Sequence, residues 1–336
     1  MNTVNPTIKP ALKPLAFSVL RLLNDGEFHS GVAIAQKLGV SRASVSNALQ
    51  GMDEVGVAVH KVHGRGYRLP EPIQWLERDA ILKKLGKDAK AFQIEVLETA
   101  VSTNSLLLQN TASGTHGILV LATELQTGGR GRRGRQWQSG LGDGLTFSLL
   151  WRFQQGAGFL SGLSLAVGVA IMRALESAGI QGAALKWPND VLFHYQKLAG
   201  TLIELQGDML GPTVAVIGIG INLKLSDSIK AHIDQGVTDV FSITGEMPDR
   251  NQLLAILLHE LLAVLREFEL HGFAPFRKEW VRHHGYENKA VTLHLPDGSS
   301  QKGAVHGVAE DGSLLLKTET GNRSFNGGEI SLRRTI

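Results

Sequence analysis

Apolar positions recur at helical spacing over residues 160–178 and 252–270, and as short alternating or continuous runs at 94–97, 118–122, 145–151, 198–205 and 214–221. Long helices among short strands and glycine-rich loops predict an α/β body. Ahead of it lies a different rhythm. Leu15, Val19, Leu22 and Leu23 mark a helix opened by Pro14 and stopped at Asn24-Asp25-Gly26. Ser30 caps a second short helix ending at Leu38-Gly39, and Ser41 caps a third that turns Val45, Leu49 and Met52 to one side. Alternation over 57–62 and a turn at His63-Gly64-Arg65-Gly66 add a hairpin, so the first segment reads as a winged helix-turn-helix. From Ala290 the pattern becomes alternating strands with turns at Pro296-Asp297-Gly298, Glu310-Asp311-Gly312 and Thr320-Gly321-Asn322, as in a small antiparallel β-barrel. Pro70-Glu71-Pro72 is a stiff break. The expected domains are residues 1–69, 73–280 and 288–336, an organisation that the length of 336 residues accommodates.

Charge sharpens the reading of the first domain. Residues 1–70 carry eight Lys or Arg against four acids, while the remainder nets −1 out of a total of +3, so a polyanion partner is expected for that module alone. The third helix presents Arg42, Ser44, Ser46, Asn47 and Gln50 away from its apolar side, and Arg65 sits at the hairpin tip. Such side chains can bond base edges and phosphates, which makes operator DNA the expected partner. A tri-helical domain of this kind can also mediate protein contacts only, but the excess basic charge favours DNA. The absence of cysteine removes disulfides, thiolate zinc sites and cysteine nucleophiles, and suits a reducing cytoplasm. The opening MNTVNPTIKP lacks a signal-peptide pattern, and the weakly polar run 156–172 is short for a membrane span and ends at Arg173. A soluble cytoplasmic protein with no membrane partner is expected.

The most informative stretch is Gly128-Gly129-Arg130-Gly131-Arg132-Arg133-Gly134-Arg135-Gln136-Trp137. Glycines let backbone N–H groups approach an anion, and arginines supply fixed positive charge with bidentate geometry. It lies between two predicted strands, unlike a solvated Arg/Gly tail, and it is no P-loop, because Arg135-Gln136 stands where Lys-Ser/Thr is needed. Lys186-Trp187-Pro188-Asn189-Asp190 leads into Lys197-Leu198-Ala199-Gly200 and a strand, and Gly218-Ile219-Gly220-Ile221-Asn222 ends another. Alone, that last motif is weak, since Leu223 replaces the third glycine of a dinucleotide fingerprint. His259-Glu260 lacks the second histidine of a zincin, His283-His284 lacks a carboxylate or thiolate at ligand spacing, and Gly162-Leu163-Ser164 lacks the closing glycine of a nucleophile elbow.

In order and spacing, GRGRRGRxW, KWPND, KLAG before a strand and GIGIN, preceded by Ser102-Thr103-Asn104, resemble the biotin protein ligases. The winged helix and the terminal GGEISLR at 327–333 resemble the bifunctional, repressor-type members. The resemblance implies a class II synthetase-like catalytic domain of the α/β (α+β) type, followed by a small SH3-like β-barrel. It implies activation of biotin by ATP to biotinyl-5'-AMP, then transfer to a lysine of the biotin carboxyl carrier protein of acetyl-CoA carboxylase. Biotinyl-AMP would serve as co-repressor, and the ligand-bound protein would bind operator DNA as a homodimer. By position, Ser102, Thr103, Asn104 and Gln126 would hydrogen-bond the biotin ring, although Ser102-Thr103-Asn104 taken alone reads as a helix cap. Arg130, Gly131, Arg132 and Lys197 would hold its carboxylate and the adenylate phosphate. Lys186 and Asp190 would join Arg132 and Lys197 in catalysis, and Asn189, Asp190 and Asn222 would contact ATP or its metal, with Mg2+ arriving on ATP rather than in a protein-only site. The free arginine loop, with its run of like charges, is expected to be disordered until an anion binds. Val237 stands where repressor-type members carry a tryptophan against the adenine, so ligand-coupled ordering would be weaker or built differently here. Two alternatives share much of this pattern: a lipoate-type ligase, against which the arginine-rich form of the loop argues, and a biotin-sensing repressor without catalysis, against which the complete phosphate-binding set argues.

Overall fold

The computed structural model describes residues 12–110, 117–295, 299–326 and 331–334. The opening ten residues, the Pro296-Asp297-Gly298 turn and the first part of GGEISLR lie outside them.

The first module contains α1 (Pro14–Leu22), α2 (Gly31–Leu38), α3 (Arg42–Ala48) and the hairpin β1 (His60–Val62) and β2 (Gly66–Arg68). Ser30 and Ser41 accept hydrogen bonds from Ala33 and Ser44 N–H, so both predicted caps form. The third helix is shorter than its apolar spacing predicts. It stops at Ala48, because Gly51 takes a φ of 71° and starts a separate turn that still buries Met52. This module does not close its own core. Trp75, Leu125 and Leu141 of the next domain pack among Phe17, Leu20 and Val55, and the Phe17 and Trp75 rings lie 6.4 Å apart. Asn24 pairs with both sides of Ile73, donating to its carbonyl at 3.0 Å and accepting from its N–H at 2.7 Å. The Pro70-Glu71-Pro72 break therefore joins two bodies that share apolar packing.

The second body continues with α4 (Arg78–Leu85), β3 (Phe92–Ala100), α5 (Thr103–Gln109), β4 (Ile118–Gln126), β5 (Gly144–Phe153), α6 (Leu163–Ser177), β6 (Ala184–Lys186), β7 (Asp190–Phe193), β8 (Gln196–Gly207), β9 (Thr213–Asn222), α7 (Asp227–Lys230), α8 (Val240–Thr244), α9 (Arg250–His271) and α10 (Arg277–His283). Its seven strands form one sheet in the order β3-β4-β5-β9-β8-β7-β6, antiparallel except for β3 beside β4. Period-two alternation divides each central strand between two faces. In β9, Ala215, Ile217, Ile219 and Ile221 enter the large core shared with α6 and α9, which leaves Val214, Val216, Gly218, Gly220 and Asn222 on the opposite face. In β5, Leu145, Phe147, Leu149, Trp151 and Phe153 do the same, leaving Thr146, Ser148 and Leu150 opposite. That second face is covered by α5 near one end and carries the candidate site.

The third body is a five-stranded antiparallel sheet of β10 (Ala290–His294), β11 (Ser300–Val308), β12 (Leu314–Thr318), β13 (Gly321–Phe325) and β14 (Ser331–Arg334), in the order β13-β12-β11-β10-β14. It is locked to the second body by side chains that reach backbone acceptors. Trp187 Nε1 donates to Gly312 O at 3.0 Å, Arg277 Nε to Val308 O at 2.6 Å and Ser161 Oγ to Asp311 O at 2.6 Å. Trp187, which the sequence presents inside a polar motif, is a buried joint between domains.

Another buried group near this joint yields a pH prediction. Burial holds the His284 imidazole below its ordinary value of 6.5, and Glu287, with its carboxylate oxygen 3.5 Å from Nδ1, opposes that shift without cancelling it. The folded protein then binds fewer protons at this site than the unfolded chain, so its contribution to stability is present above pH 6.5 and lost as pH falls through the lower folded value. Urea unfolding between pH 8 and 5 is expected to show this loss, and His284→Phe should flatten that part of the profile. Identical slopes in both proteins would remove His284 as the cause.

Candidate active site and nucleic-acid interface

The site is a cleft on the second sheet face, floored by β9 and β8 and roofed by the loop between β4 and β5. Ser102 caps α5, accepting from Ser105 N–H, so its expected cap role does form while the residue also lines the cleft. Gln126 ends β4, and its Oε1 accepts from Thr103 N–H at 2.9 Å and from Thr103 Oγ1 at 3.3 Å. Thr103 Oγ1 lies 2.6 Å from Ser148 Oγ, and Ser148 Oγ donates to Asn104 Oδ1 at 2.6 Å. The result is one continuous polar wall of fixed donors and acceptors, suited to a small heterocycle with its own donors and acceptors.

Two glycines make the floor possible. A Cβ on Gly218 would lie 2.2 Å from Asn104 Oδ1, and one on Gly220 2.3 Å from the Trp137 ring. The glycines of GIGIN thus admit side chains from elsewhere in the fold against the strand. Gly220→Ala is expected to cost about 1–3 kcal/mol by overpacking against Trp137. A melting curve indistinguishable from the unsubstituted protein's would show that the ring can move aside freely.

The arginine loop lies folded against the cleft. Gly131 N–H donates to Arg135 O at 2.7 Å and Trp137 N–H to Gly129 O at 2.9 Å, giving a small hairpin with Arg133 at a φ of 59°. Its charges meet partners the sequence did not align with them: Arg130 pairs with Glu204 at 2.7 Å, and Arg132 Nη1 donates to Asn189 Oδ1 at 3.2 Å. Burial, helped by the neighbouring Arg133, lowers the Arg132 guanidinium from its ordinary value, while Asp190 pulls the other way. Lys197 Nζ stands 2.7 Å from Asp190 Oδ1 and 5.7 Å from the Trp137 ring centroid.

Ser102, Thr103, Asn104, Gln126, Arg130, Gly131, Arg132, Asn189 and Lys197 all line the cleft. Asp190 reaches it through its ion pair with Lys197. Lys186 stands opposite Asp190 in the β6–β7 register and is not part of the wall. Asn222 Nδ2 donates to Lys197 O at 3.2 Å and to Thr238 O at 3.1 Å, clamping the segment around Val237 beside Lys197. Trp137 and Thr201 also line the cleft and Glu204 lies just beyond it on β8, none of them given a site role by residue-by-residue reading. Trp137 lies inside the quoted motif and could have been found there, whereas Glu204 carries no local signal.

In the first module, Arg42, Asn47, Gln50 and Arg65 are exposed, while Ser44 and Ser46 are half-buried. The Ser44 hydroxyl sits 2.9 Å from Ser41 Oγ at the cap. Arg65 stacks its guanidinium on Phe28 at 4.1 Å, which ties the tip of the wing back to the segment before α2. Among the described residues no helix is long and apolar enough to cross a membrane, and no group of three or more His, Asp or Glu could hold a metal.

Comparison with known proteins agrees with this layout. Residues 96–222 match the biotin/lipoate A/B protein ligase family, 16–68 an HTH domain and 288–333 the biotin protein ligase C-terminal domain. The bifunctional ligase/repressor BirA of Escherichia coli (strain K12) is 38% identical over 315 residues, covering 94% of this chain and 96% of that protein. That of Bacillus subtilis (strain 168) is 31% identical over 314 residues, covering 91% and 94%. The biotin protein ligase from Aquifex aeolicus in complex with biotin and ATP superposes with a TM-score of 0.62 at 31% identity, covering 72% of this chain and 99% of that one. The chain belongs to the biotin protein ligase family and carries the domain set of its bifunctional ligase/repressor members.

Proposed function

We propose that this protein activates biotin with ATP to biotinyl-5'-AMP, transfers the biotinyl group to a lysine of a biotin carboxyl carrier protein, and represses transcription through its winged helix. The observation that carries the reading is the convergence of Arg132, Lys197 and the Thr103–Gln126–Ser148 polar wall on one cleft. A carboxylate acylates an amine only after its oxygen becomes a good leaving group, so attack on the ATP α-phosphate comes first and pyrophosphate leaves. Arg132 and Lys197 are placed to bind the carboxylate and the charge that develops on the phosphate. The wall orients the ring, and the closed loop keeps water from the mixed anhydride. Attack by the acceptor lysine on the activated carbonyl then releases AMP.

The donor set suits nucleotide-borne Mg2+ in one respect: Asp190 is the carboxylate beside the cationic pair, and it would be the protein's contribution to the ion. Bound there, the ion would neutralise phosphate oxygens. Biotin-dependent exchange of pyrophosphate into ATP tests the ligase reading directly. Its absence would leave a biotin-binding repressor.

For the second activity, one winged helix makes few base contacts, so a homodimer spanning two operator half-sites is proposed. Removal of the residues before Glu71 is expected to abolish operator binding in a mobility-shift assay while biotin transfer persists. The truncated protein should also lose solubility, because Trp75, Leu125 and Leu141 become exposed. A folded but inactive truncation would contradict the proposed boundary between domains.

A further inference from the structure

Between α1 and α2, His29 and Tyr67 exchange backbone hydrogen bonds at 2.9 Å in both directions, so residue 29 pairs with β2 like a short third strand. The approach is close, since a Cβ on Gly66 would lie 2.0 Å from His29 O. That register delivers the exposed Arg65 onto half-buried Phe28, with its guanidinium carbon 4.1 Å from the ring centroid, while Arg68 stands 5.7 Å from the same ring with its Nε buried. Among the described residues no carboxylate pairs with Arg65. Asp25, the acid of the same segment, is taken by His29 Nε2 at 2.8 Å and by the Glu27 N–H at 3.0 Å. A cation held over an aromatic face makes no hydrogen bond there, so the N–H donors of Arg65 stay available to an acceptor. The start of α3 shares this corner. A Cβ on Gly31 would meet both the Tyr67 ring at 3.3 Å and Arg42 Cγ at 3.4 Å, and Lys61 Nζ lies 5.8 Å from the Tyr67 ring. The wing cations and the first arginine of α3 therefore border one another, as contact with one extended polyanion requires.

We propose that Phe28 is a positioning residue that holds Arg65 ready for a backbone phosphate of duplex DNA, beside the bases met by α3. The proposal rests on the repressor reading and gives a role to a side chain that reaches no DNA itself. A free arginine on a hairpin tip loses many rotamers when it binds, and the ring removes part of that loss beforehand. The ring thus acts on affinity, and the arginine on the number of phosphates neutralised.

The probe is a short duplex selected from a random pool by the unsubstituted full-length protein with biotin and ATP present, titrated across a salt series. Arg65→Gln is expected to lower the slope of log affinity against log salt by about 0.9, the value for one phosphate, and to weaken selected and scrambled duplexes alike. Phe28→Leu should keep the slope and weaken binding about threefold to fivefold throughout, whereas Phe28→Tyr, which retains the ring, should bind within about twofold of the unsubstituted protein. In the Arg65→Gln background Phe28→Leu should add less than about twofold, because the arginine it orders is gone. A loss that persists undiminished in that background would show that the ring acts through the fold of the module. Full affinity in Phe28→Leu would show that Arg65 needs no platform, and an unaltered slope in Arg65→Gln would show that it meets no phosphate. Each of these three results overturns the proposal and leaves the repressor reading standing. Recovery of no duplex from the pool removes that reading and the proposal with it.

Discussion

Arg132→Ala and Lys197→Ala are each expected to slow biotin-dependent ATP–pyrophosphate exchange by about 10²- to 10³-fold, a loss of roughly 2–4 kcal/mol of transition-state stabilisation. The magnitude follows from placement. Arg132 is drawn partly out of water, where a fixed charge acts more strongly on a developing one, and Asn189 holds its guanidinium at 3.2 Å. Lys197 is mostly buried beside Asp190, so its removal also leaves a carboxylate facing incoming phosphate without its partner. Lys197→Arg keeps the charge and should recover part of the rate. Neither residue packs in the core, so circular dichroism and melting should stay close to those of the unsubstituted protein. Exchange rates unaltered in both alanine variants would refute the assignment of these cations.

The second large effect falls on stability. Arg250 and Glu124 form an ion pair at 2.6 Å whose side chains are 0% and 1% exposed. Arg250 also donates to Gln74 O at 2.6 Å and to Gly144 O at 3.0 Å, while Glu124 accepts from Leu76 N–H. The pair thus fastens the chain leaving the winged helix to β4, β5 and α9. Arg250→Ala strands a buried carboxylate and two carbonyls, which is expected to cost about 3–5 kcal/mol. For a body of this size that corresponds to a melting point lower by roughly 6–20 °C. Replacing both partners, as in Arg250→Met with Glu124→Leu, should recover only part, because the Leu76 N–H then lacks its acceptor. A loss below about 1 kcal/mol in urea unfolding of the single variant would show that water reaches the pair.

These two effects sit at opposite ends of what could be read beforehand. Arg132 and Lys197 stand in motifs whose residue types announce phosphate chemistry. Arg250 carries no such signal, since an arginine at the first helical position, directly after the Asp249 cap, looks like an ordinary solvent-facing position. Its partner lies 126 positions away in sequence. The same holds for the core between the first two domains. The Pro70-Glu71-Pro72 break marks a boundary in rhythm, but nothing local told that Trp75, Leu125 and Leu141 would complete the winged helix.

By itself the sequence determined what depends on neighbours along the chain. Caps at Ser30 and Ser41, the alternation that puts the isoleucines of β9 in the core and its glycines on the other face, and the concentration of basic charge before residue 70 all follow from short-range sterics and solvation. The family motifs belong with these, because they are contiguous. Only the tertiary structure decided which side chains meet across the sheet: Asn104 over Gly218, Trp137 over Gly220, Glu204 on Arg130, Asn222 on the segment around Val237. The arginine loop shows the difference most clearly. Its own charges repel along the chain, but strand order brings Glu204 of β8 to Arg130 and Asp190 of β7 within electrostatic reach of Arg132, partners that no local pattern names.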